Sequence, residues 1–220
     1  MEKKRIYLSC PTMHGEEQKY VQEAFDTNWV APLGPNVNEF EKSVAVYTGS
    51  KAAAALSAGT AAIHLALKLT DVKEGDIVFV SDLTFSATCN PICYEKAIPV
   101  FIDSEPDTWN MDPKALKKAF EKYPNPKAVV CVHLYGTPAK IDELMAICEE
   151  YNVPFVEDLR LIAARLIGRF HLKHRFFPPP AVKFLSFYPL YHTSARATRP
   201  RNHLNWCSER GESLDGKTVW

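Results

Sequence analysis

From residue 51 onward the chain alternates between short apolar runs and amphipathic segments, and this alternation limits the fold more than any other feature. The runs are mostly rich in β-branched residues and cover 52–56, 77–80, 98–102, 128–134 and 153–156. The segments between them have helical spacing and cover 60–69, 86–96, 113–123 and 141–151. Continuous apolar strands that alternate with helices are typical of a mostly parallel sheet covered on both faces. We therefore predict a three-layer α/β domain.

Polar and aromatic side chains follow several of these predicted strands. In sheets of this kind ligands bind outside the carboxyl ends of the strands. The residues that the pattern brings to this edge are Gly59, Thr60, the run 82–85 (DLTF), Asp103, His133, Glu157 and Asp158. We expect a binding site at this edge.

Residues 56–67 (LSAGTAAIHLAL) join the first apolar run to the first helix of the pattern. Gly59 allows a tight turn and a close approach of the backbone to a ligand, and Thr60 adds a hydroxyl group. The N–H groups of Thr60, Ala61 and Ala62 would lack helical carbonyl partners, so with the helix dipole they could bind a phosphate. Alternatively, Gly59 and Thr60 only end a strand and cap a helix. Neither a P-loop nor a G-x-G-x-x-G motif occurs in the chain.

Two further side chains at the predicted edge suit a flat ring. Phe85 could stack on such a ring, and Asp158 could present its carboxylate to a ring nitrogen. A carboxylate beside a pyridine nitrogen keeps that nitrogen protonated, which lets the ring withdraw electrons, as in pyridoxal 5′-phosphate (PLP). The structural alternatives are Phe85 in the core, Asp158 as a helix cap, His133 as a hydrogen-bonded interior histidine and Asp103 as a turn residue. The joint placement of these four residues at one edge of the predicted sheet favours the cofactor interpretation.

Two helices are predicted before the alternation begins, over 14–26 and 36–48. The run 28–35 (NWVAPLGP) between them is predicted to be a loop because two prolines and a glycine exclude regular structure. Trp29 in this loop could cover a ligand or fill a core.

Composition places the chain among globular proteins, with 46% hydrophobic and 24% charged residues. Met1 is followed by no apolar segment typical of a signal peptide, and no apolar run is long enough for a membrane span, so we expect a cytoplasmic protein. The six cysteines include no C-x-x-C pair, and most lie in apolar surroundings that are typical of buried thiols. We predict neither a metal site nor a disulfide framework.

Up to Asp158 the chain resembles the DegT-type nucleotide-sugar aminotransferases, which are PLP enzymes of the aspartate-aminotransferase fold. The resemblance is greatest to members that aminate a UDP-4-keto-6-deoxy-N-acetylhexosamine with glutamate as the amino donor. It implies that the product is used in the synthesis of cell-surface polysaccharide. The stretches that carry it are 28–35 (NWVAPLGP) with Phe40 and Glu41, 57–67 (SAGTAAIHLAL), 83–90 (LTFSATCN), Asp103 with 109–113 (WNMDP), 132–136 (VHLYG) and 156–158 (VED).

The resemblance implies a role for each candidate residue. Gly59, Thr60 and Ala61 would bind the cofactor phosphate, Phe85 would stack on the pyridine ring, and Asp158 would pair with its nitrogen. Trp29 and its loop would reach the nucleotide sugar. The resemblance also implies a homodimer, because a second subunit completes the active sites of this family.

After Asp158 the sequence departs from the family. The family continues with a glycine-rich segment and a strand ending in Ser-Phe, followed by the Schiff-base lysine, whereas this chain continues with 159–165 (LRLIAAR). The run 186–189 (SFYP) resembles the tetrapeptide before that lysine, but in its register the lysine position holds Tyr191, with His192 beside it. We therefore predict an incomplete large domain over 1–158 and no Schiff-base lysine, so that this chain does not transaminate.

The charge of the chain changes at the same point. Residues 1–158 carry 15 Lys and Arg against 23 Asp and Glu, whereas residues 159–220 carry 11 against 3. Arg5 is the only arginine before Asp158, but eight of the eleven later basic residues are arginine. We interpret 159–220 as a non-family, irregular and poorly ordered tail that reads like a shifted frame. A genuine basic accessory segment is the competing explanation.

Two other functions are compatible with the sequence. Some relatives carry histidine in place of the lysine and act as PLP-dependent sugar dehydratases, which would give His192 a role. Alternatively, the chain is a non-catalytic binding module. Arg196, Arg199, Arg201, Arg210 and Trp206 of its tail could then contact nucleic acid, although the tail lacks any clear periodicity.

Overall fold

The computed structural model of the chain describes residue 13, residues 15–48 and 50–158, and the backbone of residues 182–184. The helices are α1 (Glu17–Asp26), α2 (Pro35–Thr48), α3 (Gly59–Leu69), α4 (Ser86–Tyr94), α5 (Pro113–Lys122) and α6 (Ile141–Glu150). The strands are β1 (Ile77–Ser81), β2 (Ile98–Ile102), β3 (Ala128–Val132), β4 (Phe155–Asp158) and β5 (Val182–Phe184).

The five strands form one sheet in the order β2-β1-β3-β4-β5, and every neighbouring pair is parallel. Val132 of β3 is in register with Asp158 of β4, so both strands end at the same edge. The sheet confirms the parallel α/β fold, because α4, α5 and α6 supply the crossovers that join β1 to β2, β2 to β3 and β3 to β4.

The sheet separates two apolar cores. Val78 and Val80 of β1 pack with side chains of α3 and α4 on one face, whereas Phe79 packs with side chains of α5 and α6 on the other. The alternation follows from the strand period of two, and all three residues are fully buried. The domain therefore has three layers, as predicted.

Helix α5 shows how a local signal sets an element boundary. Pro113 occupies the first turn, and the side chain of Asp112 before it accepts a hydrogen bond from the N–H of Lys114 at 2.9 Å. Proline in the first turn loses no helical hydrogen bond, and the aspartate satisfies a donor that would otherwise lack a partner.

The predicted strand over 52–56 is wrong. The structure assigns no strand to these described residues, and the N–H of Ala55 donates to the side chain of Glu41 in α2 at 2.7 Å. Four consecutive alanines offer little side-chain surface to a pleated sheet, so this run had weak strand propensity despite its apolar character.

Helices α1 and α2 bury less of their apolar faces than their spacing predicts. The helical spacing of apolar residues in 14–26 and 36–48 predicts that Val21, Phe25 and Tyr47 point inward, but all three side chains are exposed. None of the residues of α1 and α2 belongs to the two cores that flank the sheet.

Strand β5 lies within the segment predicted to be an irregular tail. It pairs with β4 in parallel, with Phe184 in register with Asp158. The rest of 159–220, including Tyr191 and His192, lies outside the described residues. Within the part of the chain that the structure describes, no helix is long and apolar enough to cross a membrane.

Candidate active site

The two helices on one face of the sheet begin at the edge where the strands end. Residues 70–76 connect the end of α3 to the start of β1, so α3 runs antiparallel to β1 and begins near the carboxyl edge. Helix α4 follows the end of β1 through residues 82–85 and begins at the same edge. The two helices contact each other, and α3 also contacts β4 and β5. The starts of both helices therefore lie at the edge where the sequence predicts the site.

The first turn of α3 presents backbone donors at this edge. The first helical hydrogen bond runs from the N–H of Ala62 to the carbonyl of Ala58 at 3.1 Å. The N–H groups without a helical carbonyl are consequently those of Gly59, Thr60 and Ala61. The N–H groups of Thr60 and Ala61 lack helical carbonyl partners, as predicted, whereas Ala62 N–H has one and Gly59 N–H does not. Phosphate binding by these groups stays a prediction.

Gly59 differs from the predicted turn residue. It is buried and is the first helical residue, and it is absent from the described glycines with positive φ. A left-handed turn is therefore not the reason for glycine at this position, and the predicted close approach of the backbone to a ligand stays a prediction.

Asp158 is the last residue of β4, and its side chain belongs to the α3/α4 face of the sheet. Its carboxylate Oδ2 accepts a hydrogen bond from the hydroxyl of Thr88 in the first turn of α4 at 2.7 Å. Asp158 is 5% exposed and Thr88 is 1% exposed. Its backbone carbonyl accepts from the N–H of His133 at 3.2 Å, which extends the pairing of β3 and β4 to the edge. The carboxylate of Asp158 is therefore held from α4, while the backbone of the same residue is held by its pairing with β3.

Phe85 and Thr84 complete this side of the site. Phe85 is the N-cap residue of α4 and is 55% exposed, so the core alternative for its ring is wrong. The hydroxyl groups of Thr84 and Thr88 lie 2.9 Å apart. The structure thus joins Asp158 to the first turn of α4, next to Phe85, and puts the start of α3 at the same edge and face.

Two residues predicted at the edge lie away from this group. Asp103 follows β2, the outermost strand, which is three strands from β4, or roughly 14 Å at the usual strand spacing. Its side chain accepts from the N–H of Ser104 at 2.8 Å, as expected of a turn residue.

His133 lies on the opposite face. It is buried, and its Nδ1 accepts a hydrogen bond from the N–H of Ala139 at 3.0 Å, so Nε2 carries the ring proton. Among the described residues Nε2 has no hydrogen-bond partner, and Oε2 of Glu157 lies 3.8 Å from it. His133 shapes the loop after β3 and does not face Asp158.

Asn110 supports that loop from the other side. Its Oδ1 accepts from the N–H of Leu134 at 2.7 Å, and its Nδ2 donates to the carbonyl of Thr137 at 2.9 Å. Between these two points Tyr135 adopts a left-handed conformation, with φ of 48°, and its side chain is exposed. A non-glycine residue in this region is strained by about 1–3 kcal/mol and persists only where the surroundings fix it.

An ion-pair group next to Asn110 contributes to the same support. Glu105 accepts from Lys140 Nζ at 2.7 Å, from the backbone N–H groups of Asp107 and Thr108, and from the hydroxyl of Thr108. Burial raises the pKa of Glu105, but these hydrogen bonds outweigh it and lower the pKa from 4.5 to about 2. The hydrogen bonds that Lys140 donates to Asp107 and Glu105 raise the pKa of Lys140. All these charges are present at neutral pH.

Trp29 packs within its own loop. Its indole Nε1 donates to the carbonyl of Leu33, and the side chain is 52% exposed. Gly34 has a φ of +147°, and a Cβ on it would lie 1.8 Å from Nε1 of Trp29, so only glycine permits this approach. The role of Trp29 towards a substrate stays a prediction.

The cysteines only partly follow their prediction. Cys131 and Cys148 are buried, and burial raises the pKa of the Cys131 thiol and raises that of Cys148 to about 12. Cys89 is half-buried and Cys93 is exposed, whereas Cys10 and Cys207 lie outside the described residues. In the described ranges no three His, Cys, Asp or Glu side chains are grouped for a metal ion.

Sequence reasoning missed Thr88 and Asn110. Thr88 was visible only as part of the run 83–90, and its spacing of four from Thr84 could have indicated that both lie on one side of a helix start. No local pattern distinguishes Asn110 from an ordinary turn residue, because its partners are 24 and 27 residues away.

Comparison with known proteins gives a consistent result. The sequence profile of the DegT/DnrJ/EryC1/StrS aminotransferase family matches residues 11–192. EpsN of Bacillus subtilis, named as a candidate pyridoxal phosphate-dependent aminotransferase, is 60% identical over 159 residues, which are 70% of this chain and 41% of EpsN. GDP-perosamine synthase of Caulobacter vibrioides is 38% identical over 164 residues, which are 74% of this chain and 43% of the synthase.

A solved structure shows the same fold. The GDP-4-keto-6-deoxy-D-mannose-3-dehydratase of Escherichia coli, with bound hydrated PLP, superposes with a TM-score of 0.64 and 28% identity, over 70% of this chain and 40% of the dehydratase. The chain thus spans about two fifths of the length of these proteins. The profile match continues past Asp158 and includes β5 and the run 186–189, while the predicted domain boundary at Asp158 stays a prediction.

Proposed function

Since the chain belongs to the DegT/DnrJ/EryC1/StrS aminotransferase family, we propose that it forms the cofactor-binding part of a PLP-dependent nucleotide-sugar aminotransferase. The observation that carries the proposal is the buried Asp158 carboxylate, held by Thr88 beside Phe85 at the edge where α3 and α4 begin. PLP requires three features that this edge offers, namely donors for a phosphate, a surface for a ring and a carboxylate for the ring nitrogen.

Each feature has a residue in the proposal. The N–H groups of Gly59, Thr60 and Ala61 bind the phosphate, helped by the positive end of the α3 dipole. The exposed ring of Phe85 stacks on the cofactor. The carboxylate of Asp158 holds a proton on the ring nitrogen, because an opposite charge within a few ångströms favours the charged form of a base. When bound, PLP supplies an electron sink for chemistry at the carbon attached to the transferred amino group.

The names of the relatives support a nucleotide-sugar substrate. A synthase of GDP-perosamine is 38% identical to the chain, and a spore coat polysaccharide biosynthesis protein of Bacillus subtilis is 39% identical. We propose that the complete enzyme transfers an amino group, with glutamate as donor, to a 4-keto-6-deoxy nucleotide sugar for surface polysaccharide. Trp29 would contact that sugar, and the enzyme would be a cytoplasmic homodimer.

The chain itself is proposed to bind the cofactor without completing the reaction. The lysine to which the family attaches PLP has no counterpart in the register of the run 186–189, where Tyr191 stands. Borohydride reduction of the 220-residue chain with PLP, followed by mass spectrometry of its peptides, is expected to find no lysine adduct. An adduct at Lys173, Lys183 or Lys217 would contradict this part of the proposal.

Cofactor binding can be tested without any covalent bond. Pyridoxamine 5′-phosphate (PMP) needs no lysine, and its affinity for the 220-residue chain is measurable by isothermal titration calorimetry. We expect measurable binding that Asp158→Asn weakens about tenfold or more, because loss of a charge-assisted hydrogen bond costs roughly 1.5–3 kcal/mol. The matched control is Asp103→Asn, which removes a carboxylate from the same edge three strands away and should leave the affinity unchanged. The proposed site would be overturned if the chain did not bind PMP, or if both variants lost affinity for PMP to the same extent.

A sugar dehydratase is the second candidate, because the E. coli dehydratase shares the fold at a TM-score of 0.64 and His192 lies next to the lysine position. Incubation of the chain with PMP and a 4-keto-6-deoxy nucleotide sugar separates the two. A product that has lost the 3-hydroxyl group would favour the dehydratase, and an aminated product would show that the chain completes transamination. We expect neither product.

A further inference from the structure

The orientation of the Asp158 carboxylate depends on a hydroxyl group in another element. Thr88 Oγ1 donates to Asp158 Oδ2 at 2.7 Å, and the two residues are 70 positions apart in the chain. Both are buried, so bulk water does not replace this bond if it is lost. A carboxylate is free to rotate about its terminal bond unless one oxygen is held. The bond from Thr88 fixes Oδ2 and thereby restricts where Oδ1 can lie.

The direction of the hydrogen bonds extends this control to Thr84. A hydroxyl group has one proton, and Thr88 gives that proton to the carboxylate, which can only accept when ionised. The 2.9 Å bond between Thr84 and Thr88 must then run from Thr84 to Thr88. Hydroxyl groups in such a chain polarise one another, which strengthens the bond to the carboxylate. Thr84 precedes α4 and Thr88 lies within its first turn. The start of this helix therefore positions both hydroxyl groups relative to Asp158.

We propose that Thr88 is a positioning residue for recognition of the pyridine nitrogen, acting through Asp158 and itself oriented by Thr84. The inference rests on the proposed function, because it assigns to Asp158 the ring nitrogen as partner. Thr88 in α4 thus controls how strongly the site prefers a ligand with a basic ring nitrogen over one without it. A structural role alone would affect all ligands of the site equally, whereas a positioning role affects only those with that nitrogen.

The test compares two ligands in four proteins. The ligands are PMP and its 1-deaza analogue, in which a C–H group replaces the ring nitrogen, and the proteins are the unchanged 220-residue chain, Thr88→Val, Thr88→Ser and Asp158→Asn. Calorimetric dissociation constants give the preference for PMP over the analogue. We expect Thr88→Val to reduce this preference about five- to tenfold, which is less than the direct loss of the carboxylate would cause, because Thr88 acts on the ring nitrogen only through Asp158. Thr88→Ser, which keeps the hydroxyl, should retain the preference, and Asp158→Asn should abolish it.

The outcomes separate the inference from the proposed function. Suppose that Asp158→Asn abolishes the preference, while Thr88→Val leaves it unchanged or weakens the binding of both ligands equally. The role of Thr88 is then overturned and the proposed function stands. If the unchanged chain does not distinguish the ligands, or does not bind PMP, both are overturned.

A second variant covers the case in which Thr88→Val does not fold, as judged by circular dichroism. Thr84→Val removes only the outer hydroxyl and should reduce the preference about two- to threefold. An unchanged preference in Thr84→Val would then count against the chain of hydroxyl groups.

Discussion

The hydroxyl of Thr88 and the carboxylate of Asp158 lie 2.7 Å apart and join the start of α4 to the end of β4. The carboxylate at the candidate site is consequently oriented by tertiary packing and not by its own strand alone. Loss of this bond should therefore affect stability as well as ligand recognition.

Thr88→Val is expected to lower the free energy of unfolding by about 1.5–3 kcal/mol, because a buried carboxyl group loses a hydrogen-bond donor. Urea unfolding at neutral pH, followed by circular dichroism, measures the change. Thr88→Ser keeps the donor and should lose less than half as much. Equal stability of Thr88→Val and the unchanged chain would show that Asp158 does not depend on this hydroxyl group.

Glu105→Gln is expected to destabilise the chain in a pH-dependent manner. The folded-state pKa of Glu105 is about 2, below the ordinary value of 4.5, because its hydrogen bonds outweigh the effect of burial. A lowered folded-state pKa stabilises the protein at pH values above the unfolded pKa, and this contribution is lost as the pH falls from about 4.5 towards 2. The loss of stability in Glu105→Gln should thus be full at pH 6–7 and decline below pH 4.5.

The measurement is urea unfolding of both proteins at several pH values between 7 and 3. Glu74→Gln is the matched control, because Glu74 pairs with Lys96 at 3.1 Å in a fully solvated position and such pairs contribute little. A stability difference for Glu105→Gln that does not depend on pH would contradict the role of its charge.

Asn110→Ala is expected to destabilise the loop after β3. The substitution removes the partners of the Leu134 N–H and the Thr137 carbonyl and should lower the free energy of unfolding by about 1–3 kcal/mol. Hydrogen exchange should accelerate at the Leu134 amide before it changes in the strands. Asn38→Ala, at an exposed position of α2, is the control and should stay within about 0.5 kcal/mol of the unchanged chain. An unaltered exchange rate at the Leu134 amide in Asn110→Ala would show that Asn110 does not stabilise the loop after β3.

The sequence predicted the layers of the fold because its signals there are local. The runs that became β1 to β4 are apolar and bounded by turn residues, and the helices between them keep the 3.6-residue spacing. The prediction of a strand over 52–56 was wrong because apolar character alone does not distinguish a strand from an extended segment. The N–H of Ala55 in this run donates to the side chain of Glu41 in α2 and not to a neighbouring strand.

The candidate site was predictable only in part. Asp158 and the start of α3 follow from position, since strand ends and helix starts meet at one edge. Thr88 and Asn110 act across long sequence separations, and His133 faces away because the side chain accepts a bond from Ala139. Such choices depend on tertiary geometry that no local pattern encodes.

The central claim is that the start of α3 and the end of β4 bind one ligand together. The most direct measurement is a titration of the isotope-labelled 220-residue chain with PMP, followed by amide NMR signals. We expect the signals of Gly59, Thr60 and Ala61 to shift together with those of Thr88 and Asp158, with one shared dissociation constant. Shifts at only one of these two groups, or at neither, would contradict it.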